Sequence, residues 1–314
     1  MEGLKYHCPV DSRGRRVVVS DPFTTKGGKH NKSLNLHKGH VKHMSVEAAF
    51  RELLANLIDA VVEANNESFV GLEISESTRR GDKSVIRIQN DKVVFGEIVD
   101  SPSKISFSNF GPIIETFEQI IQIGASKKHL KKNQGGQHGE GLKRAALKLL
   151  LLGCTVEIYF AITENDDTEF RHLTFKLNND KCLAYSVSML NPFERFKGAD
   201  DAHRFEVIVG KPKDNARFPD FVITNFMITK GIRGAVDEND RGIILSDVDY
   251  SGEVYVWHFF VSNYRYVVFG YDFFLPKLTR DRDNIHSDQL SKFCFDLKRV
   301  FKNICSDLDC SSLE

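Results

Sequence analysis

Arg51-Glu52-Leu53-Leu54-Ala55-Asn56-Leu57-Ile58-Asp59-Ala60 is the stretch on which the fold turns. Glu52 and Asn56 are four residues apart and Asp59 follows three later, so in a helix all three lie on nearly one face. Phe50, Leu53, Leu54, Leu57, Ile58 and Val61 recur at helical spacing around them, and Ser45 stands where an N-cap belongs. The spacing predicts a helix from Val46 to Ala64. A carboxylate, an amide and a second carboxylate on a core-facing helix are costly to bury without partners. A magnesium ion, a water and a nucleotide phosphate would supply those partners. The plain alternative for Glu52, a surface acid beside a lysine, sits badly with its apolar flanks.

Downstream, Phe69 to Ser75, Ser84 to Gln89, Lys92 to Ile98 and Ile105 to Asn109 read as strands parted by polar turns such as Arg80-Gly81-Asp82. Phe110-Gly111-Pro112 ends the last of them, and a helix is expected from Ile113 to Ile121. Gly124 to His138 is glycine-rich and basic, hence a loop. Gly139 to Leu151 is a second strong helix. Strands dominate after that: Val156 to Ile162, Glu169 to Leu177, Arg204 to Val209, Phe221 to Thr229, Gly242 to Leu245, Glu253 to Val261 and Tyr266 to Phe274. An amphipathic helix covers Ser287 to Ile304. This order suggests an α+β class, with helices layered on one face of a mixed sheet.

The segment Gly135-Gly136-Gln137-His138-Gly139-Glu140-Gly141-Leu142-Lys143 has its own chemistry. Closely spaced glycines let backbone N–H groups approach phosphate oxygens, and the following helix points its positive end at them. Lys127, Lys128 and Lys143 add charge suited to a polyphosphate. A flexible connection is the competing reading of such a run when it stands alone.

Together these segments resemble the GHKL ATPases, the class that includes heat-shock chaperones, gyrase B subunits, MutL and MORC proteins. The Glu52/Asn56/Asp59-Ala60 pattern looks like their N-box. Gly136, Gly139 and Gly141 look like their second glycine box, and Gly124-Ala125-Ser126-Lys127 is similar to the start of their nucleotide lid. The resemblance spans about Ser45 to Phe160, roughly a third of the chain. It implies a Bergerat-type α/β sandwich that binds ATP with Mg²⁺. Glu52 would be the general base, Asn56 the metal ligand, and Asp59 a residue ordering water near the nucleotide. Gly136, Gln137, His138, Gly139 and Gly141, with Leu142 and Lys143, would wrap the phosphates, and Ser126 and Lys127 would belong to the lid. The first glycine box departs from the pattern. Asn109 stands where the family has Asp, followed by Gly111 but by Ile113 in place of the second glycine. An Asn oxygen can still accept a hydrogen bond from an adenine amino group. His203 and Arg204 occupy the region of the family's later Thr; such losses resemble divergent, sacsin-like members.

The expected organisation is a strand and basic arm over 1–44, a GHKL ATP-binding domain over 45–200, and a β-rich second region over 201–314 ending in a helix. In the second region Lys277, with Arg280 and Arg282, is the candidate to touch the terminal phosphate; a salt-bridge cluster with Asp281 and Asp283 competes. Such proteins use ATP to gate a conformational change, often homodimerisation, on a client that the sequence does not name. The other readings are a nucleotide-binding module with weak or no hydrolysis, and a protein kinase sharing the fold.

Lys+Arg and Asp+Glu are both 43, so any attraction to nucleic acid would be local. The place for it is Thr24 to His43, an arm with five lysines, four histidines and no acid. His37, His40 and His43 recur every third residue there, but no Cys or acid stands near to complete a zinc site. The six cysteines show no CxxC spacing and read as reduced thiols, which favours the cytoplasm or nucleus. No stretch is long and apolar enough to span a membrane.

Overall fold

Short turns between successive strands dictate the topology. The computed structural model describes residues 30–65, 72–79, 83–110, 140–164, 167–190, 204–212, 234–236, 242–245, 248–256, 258–263 and 269–273. Nine strands, β1 (His30–His37), β2 (Glu73–Arg79), β3 (Lys83–Asn90), β4 (Val93–Asp100), β5 (Lys104–Asn109), β6 (Thr155–Glu164), β7 (Asp167–Leu177), β8 (Cys182–Met189) and β9 (Phe205–Gly210), form one sheet. Their order is β1-β8-β7-β6-β9-β5-β4-β3-β2. Only two to four residues separate β2 from β3, β3 from β4, β4 from β5, β6 from β7 and β7 from β8. A parallel crossover needs about a dozen or more, so each of these pairs must be a hairpin. Asp91 and Lys181 enter the left-handed region, at φ 52° and 56°, to close two of the turns.

The expected class, an α+β Bergerat-type sandwich with helices layered on one face of a mixed sheet, is corrected by this arrangement. Strand makes up 55% of the described residues and helix 25%, with two α-helices, so the fold is mostly antiparallel β. Every pairing in the large sheet is antiparallel. The physical reason is the hairpin connections: local pairing leaves no room for intervening helices. The described part of the basic arm is regular. His30–His37 is an edge strand paired with β8, and Leu36 turns inward to full burial. The strand β8, unforeseen from the sequence, alternates Leu183, Tyr185 and Val187 into the same core.

A second sheet holds β10 (Gly234–Val236), β11 (Gly242–Leu245), β12 (Glu253–Val256), β13 (Phe259–Asn263) and β14 (Gly270–Phe273), in the order β10-β11-β14-β12-β13. β12 and β14 run parallel. The single strand expected over Glu253 to Val261 is in fact the hairpin β12–β13, broken at His258, whose φ is 67°. The aromatic residues Tyr255, Tyr271 and Phe273 are buried core.

Two helices pack against each other and against the large sheet: α1 (Val46–Ala64) and α2 (Gly141–Leu151). Ser45 Oγ accepts the Ala48 N–H at 3.0 Å, so the N-cap is where the sequence places it. Asn65 closes α1, its N–H reaching the Val61 carbonyl at 2.9 Å. α1 is covered on most of its circumference, leaving Glu47 exposed and Arg51, Asn56, Ala60 and Glu63 partly so. Leu57 and Val61 close over Gly96 of β4, where an added β-carbon would lie 2.8 Å from Val61 Cγ2. On another flank, the Arg51 guanidinium donates to the Phe260 carbonyl of β13 at 2.8 Å, and Phe259 joins the main core. The strand expected ahead of the basic arm (Val17 to Val19), the strand Phe221 to Thr229 and the helices Ile113 to Ile121 and Ser287 to Ile304 lie outside the described residues.

Candidate functional site

α1 carries the polar stripe into the interior. Glu52 is 2% exposed and Asp59 5%, both within a helix whose neighbours are apolar. The Glu52 carboxylate lies against the first residue of α2: a β-carbon built on Gly141 would sit 1.8 Å from Glu52 Oε2 and 2.8 Å from its Cδ. Only glycine permits that approach. The carboxylate therefore meets the N-terminal turn of α2, where backbone N–H groups and the helix dipole favour negative charge. The sequence assigned Gly141 to the phosphate loop; the structure gives it a second task, making room for Glu52.

Asn56 lies one turn further along α1 and is half-buried. Its amide nitrogen donates to the Glu52 carbonyl at 2.7 Å, which turns Oδ1 away from the helix's own carbonyls. An oxygen so fixed suits Mg²⁺, which takes few protein ligands and keeps waters and phosphate oxygens for the rest. Asn56 offers such an ion one neutral oxygen from α1. Among the described residues no group of three or more His, Cys, Asp or Glu side chains is arranged to hold a metal by itself.

In the first turn of α2, Leu142 packs on the main core and Lys143 is buried. Burial pushes the Lys143 ammonium down to about 8, and the nearby Glu140 carboxylate partly opposes that. The unfolded chain keeps this proton up to the ordinary lysine range, whereas the folded chain releases it near pH 8. Stability from this residue is therefore least at neutral pH and rises between about pH 8 and 10.5. Replacing Lys143 with Met is expected to stabilise the protein at pH 7 by on the order of 1–3 kcal/mol. It should also flatten the alkaline rise, as urea unfolding at pH 7, 8 and 10 would show.

At the far end of the stripe, Asn109 ends β5 on the helix-covered face with Ile105 and Phe107, and is buried. Its backbone pairs with Gly96 on one side and Phe205 on the other. The Phe110 N–H extends the pairing to the Phe95 carbonyl at 2.9 Å. Arg204 secures this corner. Its Nη2 donates to Ser108 Oγ at 3.3 Å and approaches Glu206 at 3.5 Å, and its guanidinium lies 5.4 Å from the Phe110 ring centroid. Sequence reasoning placed Arg204 near a missing Thr but assigned it no contacts. Ser108, at the end of the same strand, and Glu206 received no role from the sequence; the β5–β9 register sets them opposite one another.

The structure thus brings Glu52 and Gly141 together at the junction of α1 and α2; Asn56 and Asp59 continue along α1, Leu142 and Lys143 follow Gly141 in α2, and Asn109 is on the sheet beneath α1. Gly111, Ser126, Lys127, Gly136, Gln137, His138, Gly139 and Lys277 lie outside the described residues. No helix among the described residues is long and apolar enough to cross a membrane. Compared with known proteins, the chain matches no family model and no curated sequence.

Proposed function

We propose that the α1–α2 junction binds a Mg²⁺-nucleotide through its phosphates and hydrolyses the terminal one, with ATP as the nucleotide. The observation that carries this reading is the Glu52 carboxylate, buried and held against the first turn of α2. Hydrolysis needs a base beside the phosphate-binding end of a helix, able to orient a water in line with the leaving group. Asn56 Oδ1 holds the metal and Asp59 orders water. The N-box and glycine-box residues that resemble those of the GHKL ATPases support the same assignment. Turnover gates a conformational change, with a homodimer as the assembly and a protein as the client. The cytoplasm or nucleus suits the free thiols: burial pushes Cys154 up to about 11, leaving it inert.

The test compares wild type with Glu52→Gln. Turnover should fall by roughly 10²–10⁴-fold, the usual contribution of a positioned base, while nucleotide affinity holds. Failure of the wild-type protein to bind any nucleotide with Mg²⁺ would overturn the proposal. Asn109 in the place of the family's Asp favours one second reading, a module that binds nucleotide without turning it over. Under that reading binding persists and Glu52→Gln changes no rate.

A further inference from the structure

The end of the basic arm folds into a short 3-10 turn over Lys38–Val41 that packs beside α2, and between them lies a cavity of about 490 Å³. That volume is within the range of small-molecule sites, roughly 300–1,000 Å³. Among the described residues its ionisable lining is His37, His40, Lys42, His43 and Arg144, with no acid. Arg144 is 5% exposed, while His37, Lys42 and His43 are exposed at the mouth. A buried guanidinium beneath a ring of basic groups is an arrangement that favours a negative ligand.

The hydrogen bonding of His37 suits an anion. The Gly39 N–H donates to His37 Nδ1 at 3.1 Å, and the His37 N–H donates to His40 Nδ1 at 3.2 Å. A ring whose Nδ1 accepts from the backbone carries its proton on Nε2. The His37 Nε2 is then a donor, which suits a phosphate oxygen; His40 Nδ1 also lies 3.2 Å from the His37 carbonyl, so its tautomer follows from which of the two backbone groups it bonds. The two rings meet edge to face at 4.2 Å, which fixes their orientation. Gly39 fits beneath them because a β-carbon there would lie 2.8 Å from His37 Cε1. None of Glu52, Asn56, Asp59, Asn109 and Gly141 lines this cavity.

We infer that the cavity formed by the arm and α2 is a second, separate site for a small oxyanion bearing a phosphoryl group. Its test uses the full chain labelled at histidine, with the ring resonances of His37 and His40 assigned by His37→Gln and His40→Gln. Inorganic phosphate, titrated against chloride at equal ionic strength, should give saturable shifts at both rings. Lys42→Gln, a surface change that spares the fold, and Arg144→Gln should each weaken phosphate about tenfold, whereas Glu52→Gln should leave it unchanged. Shifts that match those in chloride, or an affinity indifferent to Lys42→Gln, would overturn the inference. So would a single-stranded oligonucleotide that moves these resonances when inorganic phosphate does not, since the arm would then be a nucleic-acid contact. Because Glu52→Gln reports on the nucleotide site alone, failure of either site is distinguishable from failure of the other.

Discussion

Gly141→Ala should cripple the protein twice, in stability and in turnover, although alanine is the better helix former. In an unobstructed helix the change would stabilise by up to about 1 kcal/mol. Here the new methyl would lie 1.8 Å from Glu52 Oε2, so either the carboxylate swings away or α2 shifts on α1. Overpacking of this kind costs about 1–3 kcal/mol. An ångström of displacement at a reacting group costs on the order of a hundredfold in rate. A double-mutant cycle isolates the cause. In a Glu52→Ala background the obstruction is gone, and Gly141→Ala should become neutral or stabilising in urea unfolding. A penalty of the same size in both backgrounds would show that Glu52 and Gly141 do not meet.

The second large effect is expected at Asp272→Ala. Asp272 has no exposed surface and holds His258 by two atoms: Oδ1 accepts the His258 N–H at 3.0 Å, and Oδ2 lies 2.5 Å from Nδ1. His258 sits at φ 67°, a conformation that persists in a non-glycine residue only when its surroundings enforce it. Leaving a buried backbone donor without its acceptor costs about 1–3 kcal/mol. Asp272→Asn keeps an oxygen for the backbone N–H and should lose less. His258→Gly, which relieves the backbone strain, should also cost less than Asp272→Ala. Denaturant unfolding of the three variants gives the order directly, and a loss below about 1 kcal/mol for Asp272→Ala would refute the clamp.

What could be read from the chain and what could not divides along physical lines. α1 was legible because its signals agree: a serine cap, apolar residues at helical period, and three polar residues on one stripe. β3 and β5 were legible because polar turns bound them. β1 was not, because lysines and histidines on its exposed face mask the inward Leu34 and Leu36. β8 carries clear alternation, but it begins at Cys182, directly after the Asn178 turn, where the eye reads loop. The mixed-sheet class failed because helix and strand order say nothing about pairing; the turn lengths say it, and they specify hairpins. At the candidate site the stripe and the glycine were visible, but their direct contact was not, since no spacing relates Glu52 to Gly141. The His258–Asp272 pair, 14 residues apart in separate strand ends, left no pattern at all.

The position of β9 has a consequence for how the molecule is made. β2 to β5 form one run of hairpins and β6 to β8 another, each closed by local turns. β9 is the seam between them, bonded to β5 on one side and β6 on the other. A nascent chain that stops short of Phe205 therefore offers two half-sheets, each ending in a bare edge. Open edges of this kind template association with other chains. Closing them requires pairing Asn109 with Phe205, 96 residues further along the chain, a long-range step that slows folding. The six residues of β9 thus decide when, during synthesis, the sheet ceases to be sticky.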